Sequence, residues 1–411
     1  MNIMFAKKIL RAMIEGCFCK KTIAFIDRRI GMLSRYFMSK KVKVQSNKIM
    51  FMTYQNDYTC NPKYIAEEII RQNLPYELVW AVKKVEVMKE KFPSNIRLVK
   101  RNSYEFYKEA MTSKIWIDNA LNFFWENVPK SSKTIKIDTW HGSMGLKRIG
   151  KEDVKNSRWV KVSQRCSTDT DFIISNSDFE SQIYKTTHWP DRIIWKFGHP
   201  RNDILFEKDL NKISFIRDKV CSALNIPMDV KLALYAPTFR DSHDISVYDI
   251  DYNMLVKVLE KKFGGTWVVL ARHHFKLNSS RAAKNSVNNL MNVVRASEYD
   301  DMQELMVVAD IGITDYSSWI CDFLLTKKPG FIFATDLELY NNERGLYYPL
   351  ESTPFPVAKN NAELMCNIED FDNELYLGKV NDFIQRMGCI EDGHACERVV
   401  KEIKEILNKA E

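Results

Sequence analysis

From residue 48 onward the chain alternates strand-like and helix-like segments, and this alternation constrains the fold more than any other feature. KIMFMTY reads as a strand and PKYIAEEIIRQN as a helix; ELVWAV, KIWID, TIKID, FIISNS and IIWKFG follow as strands, with YEFYKEAM and DFESQIYKTTHW as helices between them. A second series runs ISFIRDKVCSAL (helix), LALYA (strand), YNMLVKVLEKKF (helix), WVVLAR and NVVR (strands), MQELMVVA (helix), IGIT (strand), WICDFLLTK (helix) and GFIFAT (strand), and it closes on the amphipathic ACERVVKEIKEILNKA. Repeated β-α alternation calls for parallel sheets covered by helices. The series breaks near residues 200–230, so two Rossmann-like α/β domains facing across a cleft are expected. Their extents are 48–205 and 206–411, the second including the closing helix. A chain of 411 residues suits two domains.

The net charge of +8 is unevenly placed. Residues 1–48 hold twelve Lys and Arg against Glu15 and Asp27, a balance of +10, which leaves the remainder at −2. Met4, Phe5, Ile9, Leu10, Met13 and Ile14 lie between those charges at helical spacing. Residues 1–47 therefore read as a basic amphipathic segment drawn to an anionic membrane surface, against the plainer reading of a helix packed on the first domain. No apolar run is long enough to span a bilayer, and the N-terminus lacks the uninterrupted apolar core of a secretory signal. The acidic body argues against an extended nucleic-acid groove. Nine cysteines without paired CxxC spacing suggest reduced thiols in a cytosolic compartment, with no zinc site.

In open α/β sheets ligands sit beyond the carboxyl ends of the strands, so loops that follow strands carry the functional expectation. Five are polar: Trp140-His141-Gly142-Ser143, Asn176-Ser177-Asp178, Pro237-Thr238-Phe239-Arg240-Asp241, Arg272-His273-His274 and Thr314-Asp315-Tyr316-Ser317-Ser318. In the last, two serines open a helix, where unpaired N–H groups and hydroxyls suit a phosphate; plain N-capping would explain one of them. His141 and the pair His273/His274 lie in different halves, placed to act as a general base and as a cationic partner for phosphate. GxxxxGK[ST], HExxH, GxSxG and GxGxxG are all missing, which removes the usual support for kinase, zincin, hydrolase and dehydrogenase readings.

Taken together, DTWHGSMGLKRIG, GHPRNDIL, LYAPTFRD, ITDYSSWICDFLLTKKPGFIFATDLELYNNERGLYY and EDGHACERVVKEI resemble, in order, the signatures of the CDP-glycerol glycerophosphotransferases, the teichoic-acid primases and polymerases. The likeness runs from about residue 50 to residue 405. It departs in the WHG loop, where Met144 or Gly145 stands near the family's proline, and at Arg272-His273-His274-Phe275, whose register points to His274 with His273 adjacent. The resemblance implies a GT-B-like fold with the nucleotide held mainly by the C-terminal domain. It also implies transfer of a polyol phosphate, glycerol phosphate first, from a CDP-activated donor to a lipid-linked or glycan acceptor, with release of CMP, at the cytoplasmic membrane face.

On that basis His141 is the expected base, Gly142 allows close backbone approach, and Ser143, Lys147 and Arg148 face an anionic acceptor. His274, Arg272 and the Ser317/Ser318 pair would neutralise the diphosphate, with His273, Thr238, Arg240 and Asp315 on the same donor side. Glu338 would contact ribose or base by analogy. No cofactor or metal is expected. The alternative is a GT-B glycosyltransferase using CDP-ribitol or a nucleotide sugar; the product polymer is a teichoic acid or a capsule-type chain.

Overall fold

A computed structural model describes residues 31–54, 57–149, 164–165, 167–238, 240, 250–273 and 292–409. Most of the basic N-terminal segment, and His274, lie outside the described residues.

Two sheets, each entirely parallel, organise the chain. The first has the order β3-β2-β1-β4-β5-β6-β7, from β1 (Gln45–Met52), β2 (Glu77–Val82), β3 (Ile96–Lys100), β4 (Ser113–Asp118), β5 (Ile135–Asp138), β6 (Phe172–Ser175) and β7 (Ile193–Lys196). The second repeats that pattern as β10-β9-β8-β11-β12-β13, from β8 (Lys231–Tyr235), β9 (Trp267–Ala271), β10 (Val293–Arg295), β11 (Ile311–Thr314), β12 (Gly330–Phe333) and β13 (Val357–Ala358). In each sheet the order reverses beside the first strand, between β1 and β4 and between β8 and β11. These are the switch points at which such sheets open a crevice.

Both faces of the first sheet are buried, which is why its strands read as near-continuous apolar runs. Ile49, Phe51, Leu78, Trp80, Ile115 and Ile117 pack on one face, and Met50, Met52, Val79, Ala81 and Trp116 on the other, as two-residue alternation requires. The helix Ala395–Asn408 crosses back to the first of these faces with Val399, Val400, Ile403 and Leu407. The closing helix therefore covers the N-terminal sheet, although its sequence position groups it with the second domain. Its 3.6-residue stripe shows that one side is buried; it carries no information about which sheet does the burying.

The GHPRND element fastens these parts together. Asp203 accepts from the first amides of that last helix, Ala395 N–H at 2.9 Å and Cys396 N–H at 2.7 Å. Asn202 donates to Asp322 (2.9 Å) and to Glu391 (2.8 Å). Beside that element, Lys63 from the helix Cys60–Arg71 reaches Asp301 at 2.5 Å and Glu304 at 3.2 Å, all three buried. Charge pairs as well as apolar contacts therefore join the two halves.

Strand β3 and the helices Leu337–Glu343, Asn361–Glu369 and Asn373–Met387 have no counterpart in the sequence reading. β3 mixes Arg97 and Lys100 into its run because its exposed positions face solvent at the sheet edge.

Candidate active site

Between the two sheets lies a cleft of about 760 Å³, lined by both domains. It brings His141, Gly142, Ser143 and Lys147 from the first half to Arg272, Ser317 and Ser318 from the second.

The N-terminal wall is built on the ends of β4 and β5. Asp118 accepts from Ala120 N–H (2.9 Å), Asn122 Nδ2 (2.7 Å) and Phe123 N–H (3.2 Å), and Asp138 accepts from Trp140 N–H (2.9 Å). Lys136 lies beneath the same two carboxylates, its Nζ 3.8 Å from Asp138 and 4.0 Å from Asp118, with all three side chains buried. Burial first, and then the Asp118 charge, push the Asp138 carboxyl up, and Lys136 opposes them. These anchors hold two turns through left-handed backbone, at Leu121 (φ 59°) and Trp140 (φ 48°). Cys60, on the cleft wall, is a third such residue (φ 61°). Non-glycine residues in this region are uncommon and cluster where function fixes the chain.

Those turns aim His141. Its Nδ1 lies 2.6 Å from the carbonyl oxygen of Asn119. A carbonyl can only accept, so Nδ1 carries the proton and Nε2 keeps its lone pair. The ring meets solvent across the open cleft, but the walls enclose it on the remaining sides. This desolvation lowers its pKa to about 4, with Arg201 and Lys147 acting in the same direction against the Asn119 hydrogen bond. The imidazole is therefore neutral at physiological pH.

Arg201, which the sequence reading did not single out, braces the loop. It is buried and donates to Gly142 O, while its Nε and Nη2 reach Asp322 at 3.1 and 2.9 Å. Asp322 belongs to the second half, so one ion pair ties the histidine loop to the opposite domain. Gly145 (φ 104°) allows the loop to turn where a Cβ would come within 2.8 Å of Phe179. Ser143 is buried and accepts from Asn176 Nδ2 at 3.1 Å. Enclosure, then Arg344 and Arg240, lower the Lys147 pKa to about 8, with Asp315 opposing. Arg148 is directed elsewhere: its Nε donates to Leu346 O at 3.0 Å, strapping the loop to the 345–346 segment, and it does not line the cleft.

On the C-terminal wall, Arg272 donates to Ala296 O (3.0 Å), to Tyr299 O and to Asp300 O (3.4 Å). Ser317 and Ser318 line the cleft, and the Ser318 side chain makes no capping bond to the helix Trp319–Phe323. Arg240 is held by Asp336 (2.8 and 3.0 Å) and Asp315 (2.8 Å) alongside the stacked rings of Tyr316 and Tyr340. Asp315 also receives Thr238 N–H at 2.8 Å. Thr238, Arg240 and Asp315 thus shape the turn after β8 and are not among the residues that line the cleft. His273 is directed toward Tyr235, with burial lowering its pKa to about 4, and it also lies off the cleft. Glu338 is exposed; Asp336, two residues before it, is the carboxylate that pairs with Arg240. Among the described residues, no group of three or more His, Cys, Asp or Glu could hold a metal ion.

Two Rossmann-ordered sheets with a neutral histidine on one wall and cations and hydroxyls on the other define a GT-B-like protein. Within that class, the chain belongs to the CDP-glycerol:poly(glycerophosphate) glycerophosphotransferase family, whose model matches residues 34–405. It is 29% identical over 386 residues to a teichoic acid poly(glycerol phosphate) polymerase of Staphylococcus epidermidis, covering 89% of this chain and 52% of the relative. It is likewise 29% identical over 382 residues to a teichoic acid glycerol-phosphate transferase of Staphylococcus aureus, covering 87% and 92%. This chain spans about half the length of the S. epidermidis polymerase and of its Bacillus subtilis counterpart. The wall teichoic acid polymerase TagF, as a variant soaked with CDPG, superposes with a TM-score of 0.80 at 26% identity over 99% of this chain and 98% of that one. The MnaA–UDP structure of S. aureus shares the fold alone (TM-score 0.52, 13% identity, 88% of this chain and 97% of that one).

Proposed function

We propose that the protein transfers a polyol phosphate, glycerol phosphate as first choice, from a CDP-activated donor to a hydroxyl of a lipid-linked or glycan acceptor, in assembly of a teichoic-acid or capsule-type polymer. The single observation that carries this reading is the locked tautomer of His141, whose Nε2 lone pair faces a cleft walled opposite by Arg272, Ser317 and Ser318.

The acceptor hydroxyl gives its proton to His141 Nε2 as its oxygen attacks the β-phosphorus. The new P–O bond forms while the bond from that phosphorus to the bridging oxygen breaks, and CMP leaves with that oxygen. Phosphoryl transfer asks for positioning and charge neutralisation more than for covalent chemistry. Arg272 and Lys147 supply charge, and Ser317 and Ser318 supply donors. An anionic donor beside His141 raises the imidazole pKa from its low resting value and so strengthens the base as the site fills.

The membrane-facing part of the proposal gains support from residues 31–39 of the basic segment, a helix that exposes Leu33, Tyr36 and Phe37. Among the described residues no helix is long and apolar enough to cross a membrane. Peripheral attachment at the cytoplasmic face fits that pattern.

The test is CMP release from CDP-glycerol, CDP-ribitol and a panel of UDP-sugars with a hydroxyl acceptor, with mass spectrometry of the product. CMP release with CDP-glycerol or CDP-ribitol and none with UDP-sugars supports the reading and identifies the polyol. Turnover confined to UDP-sugars overturns it.

A further inference from the structure

A second concavity of about 670 Å³ adjoins the cleft on the N-terminal domain. It is formed at the carboxyl ends of β1, β2, β3 and β4, by Tyr54, Lys83, Arg101 and the turn 120–126 respectively. Tyr54, Ala120 and Trp125 line both spaces, so the two are continuous, and the Tyr54 ring is stacked 6.1 Å from His141. An acceptor whose hydroxyl sits at His141 Nε2, with the donor against the opposite domain, has this concavity as its path outward.

The lining specifies what it takes. Tyr54 and Trp125 are 52% and 49% exposed, so both rings offer open surface at the wall of the concavity. Around them stand Asp57, Asn102 and Glu126. Flat aromatic faces ringed by carboxylate and amide groups match a pyranose ring, whose C–H face is apolar and whose edge carries hydroxyls. The charges are balanced: Arg101 Nε is 2.5 Å from Glu126, and Asp57 offsets Lys83. A run of phosphodiesters would need a net positive lining, and this one is neutral.

We infer that the concavity formed by Tyr54, Trp125, Lys83, Asp57, Asn102 and Glu126 is an acceptor subsite for an uncharged glycosyl unit. The inference rests on the transfer reading above and adds to it the chemical class of the acceptor next to the reacting hydroxyl.

Full-length protein is assayed with CDP-glycerol and two acceptors: methyl chitobioside, a neutral disaccharide, and methyl glycerol phosphate, a sugar-free phosphodiester with free hydroxyls. Trp125→Ala is expected to raise KM for the disaccharide at least tenfold more than KM for the phosphodiester, and to be largely rescued in Trp125→Phe. Equal effects on both acceptors, or none on either, overturn the subsite. A wild-type protein that releases no CMP from CDP-glycerol speaks against the transfer reading alone, and a binding arm then decides the subsite. Saturable fluorescence quenching by methyl chitobioside that is lost in Trp125→Phe supports it. Quenching that is absent in the wild type, or unchanged in the variant, overturns it. Trp125 is half exposed, so its removal does not hollow a core.

Discussion

The Nδ1 of His141 donates to the main-chain oxygen of Asn119 at 2.6 Å, so the backbone at the end of β4 sets the tautomer of the histidine at the end of β5. No side-chain substitution of Asn119 removes that acceptor. His141→Ala should therefore lose the base itself, lowering kcat by about 100-fold or more with the circular dichroism spectrum unchanged. A well-folded variant with near-wild-type turnover would remove His141 from that role.

The same enclosure fixes a pH profile. His141 is deprotonated above about 4 and Lys147 charged below about 8. For kcat/KM, which reports the free protein, activity should rise through pH 4, stay level across neutrality and fall above pH 8. Lys147→Arg, whose guanidinium stays charged, should move the alkaline limb upward by a unit or more. An alkaline limb that stays near 8 in this variant would mean that another group sets it.

Arg201 and Asp322 form a buried pair across the domain boundary. Asp322→Ala leaves the guanidinium buried with an unanswered charge, a loss of about 3–5 kcal/mol in chemical denaturation. Because Arg201 also holds Gly142 O, kcat should drop with stability. A stable variant with unaltered kcat would show that the brace does not reach the reacting groups.

Ser317→Ala and Ser318→Ala should each raise donor KM up to about tenfold, on the order of 1 kcal/mol for a hydrogen bond, with acceptor KM unchanged. Isothermal titration with CDP-glycerol provides the check. Equal affinity in the double variant would assign the serines to local structure.

Deleting residues 1–30, seven Lys and Arg against Glu15 and Asp27, should abolish sedimentation with phosphatidylserine liposomes. Each basic residue near such a surface is worth about 1 kcal/mol, so charge reversals should weaken binding stepwise and salt should do the same. The helix 31–39 is retained, because Met38 and Val42 pack against the first sheet. Turnover on a short soluble acceptor should persist. Aggregation of the truncated protein together with weak liposome binding by the intact one would place the segment in the core.

By itself the sequence determined the layers and the strand ends that lead into the cleft loops. Apolar runs of four to eight residues with helical spacing between them admit little besides two parallel sheets, and ligand-facing loops in such sheets must follow strands. His141, Arg272, Ser317 and Ser318 were legible on that ground, and they do meet in one cleft. Only the tertiary structure decided which polar groups are already committed. Arg240 and Arg148 have the composition of phosphate ligands, yet Asp315 and Asp336 neutralise the first, and the second turns to the carbonyl of Leu346 and away from the cleft lining. Arg201 and Asp322, 121 positions apart, become one ion pair. The closing helix likewise shows its buried stripe in the sequence and its partner sheet only in space. Periodicity is a local property and records which side of an element is covered. The charge that answers a buried cation comes from whichever distant strand end the chain brings alongside, and spacing along the chain does not encode that.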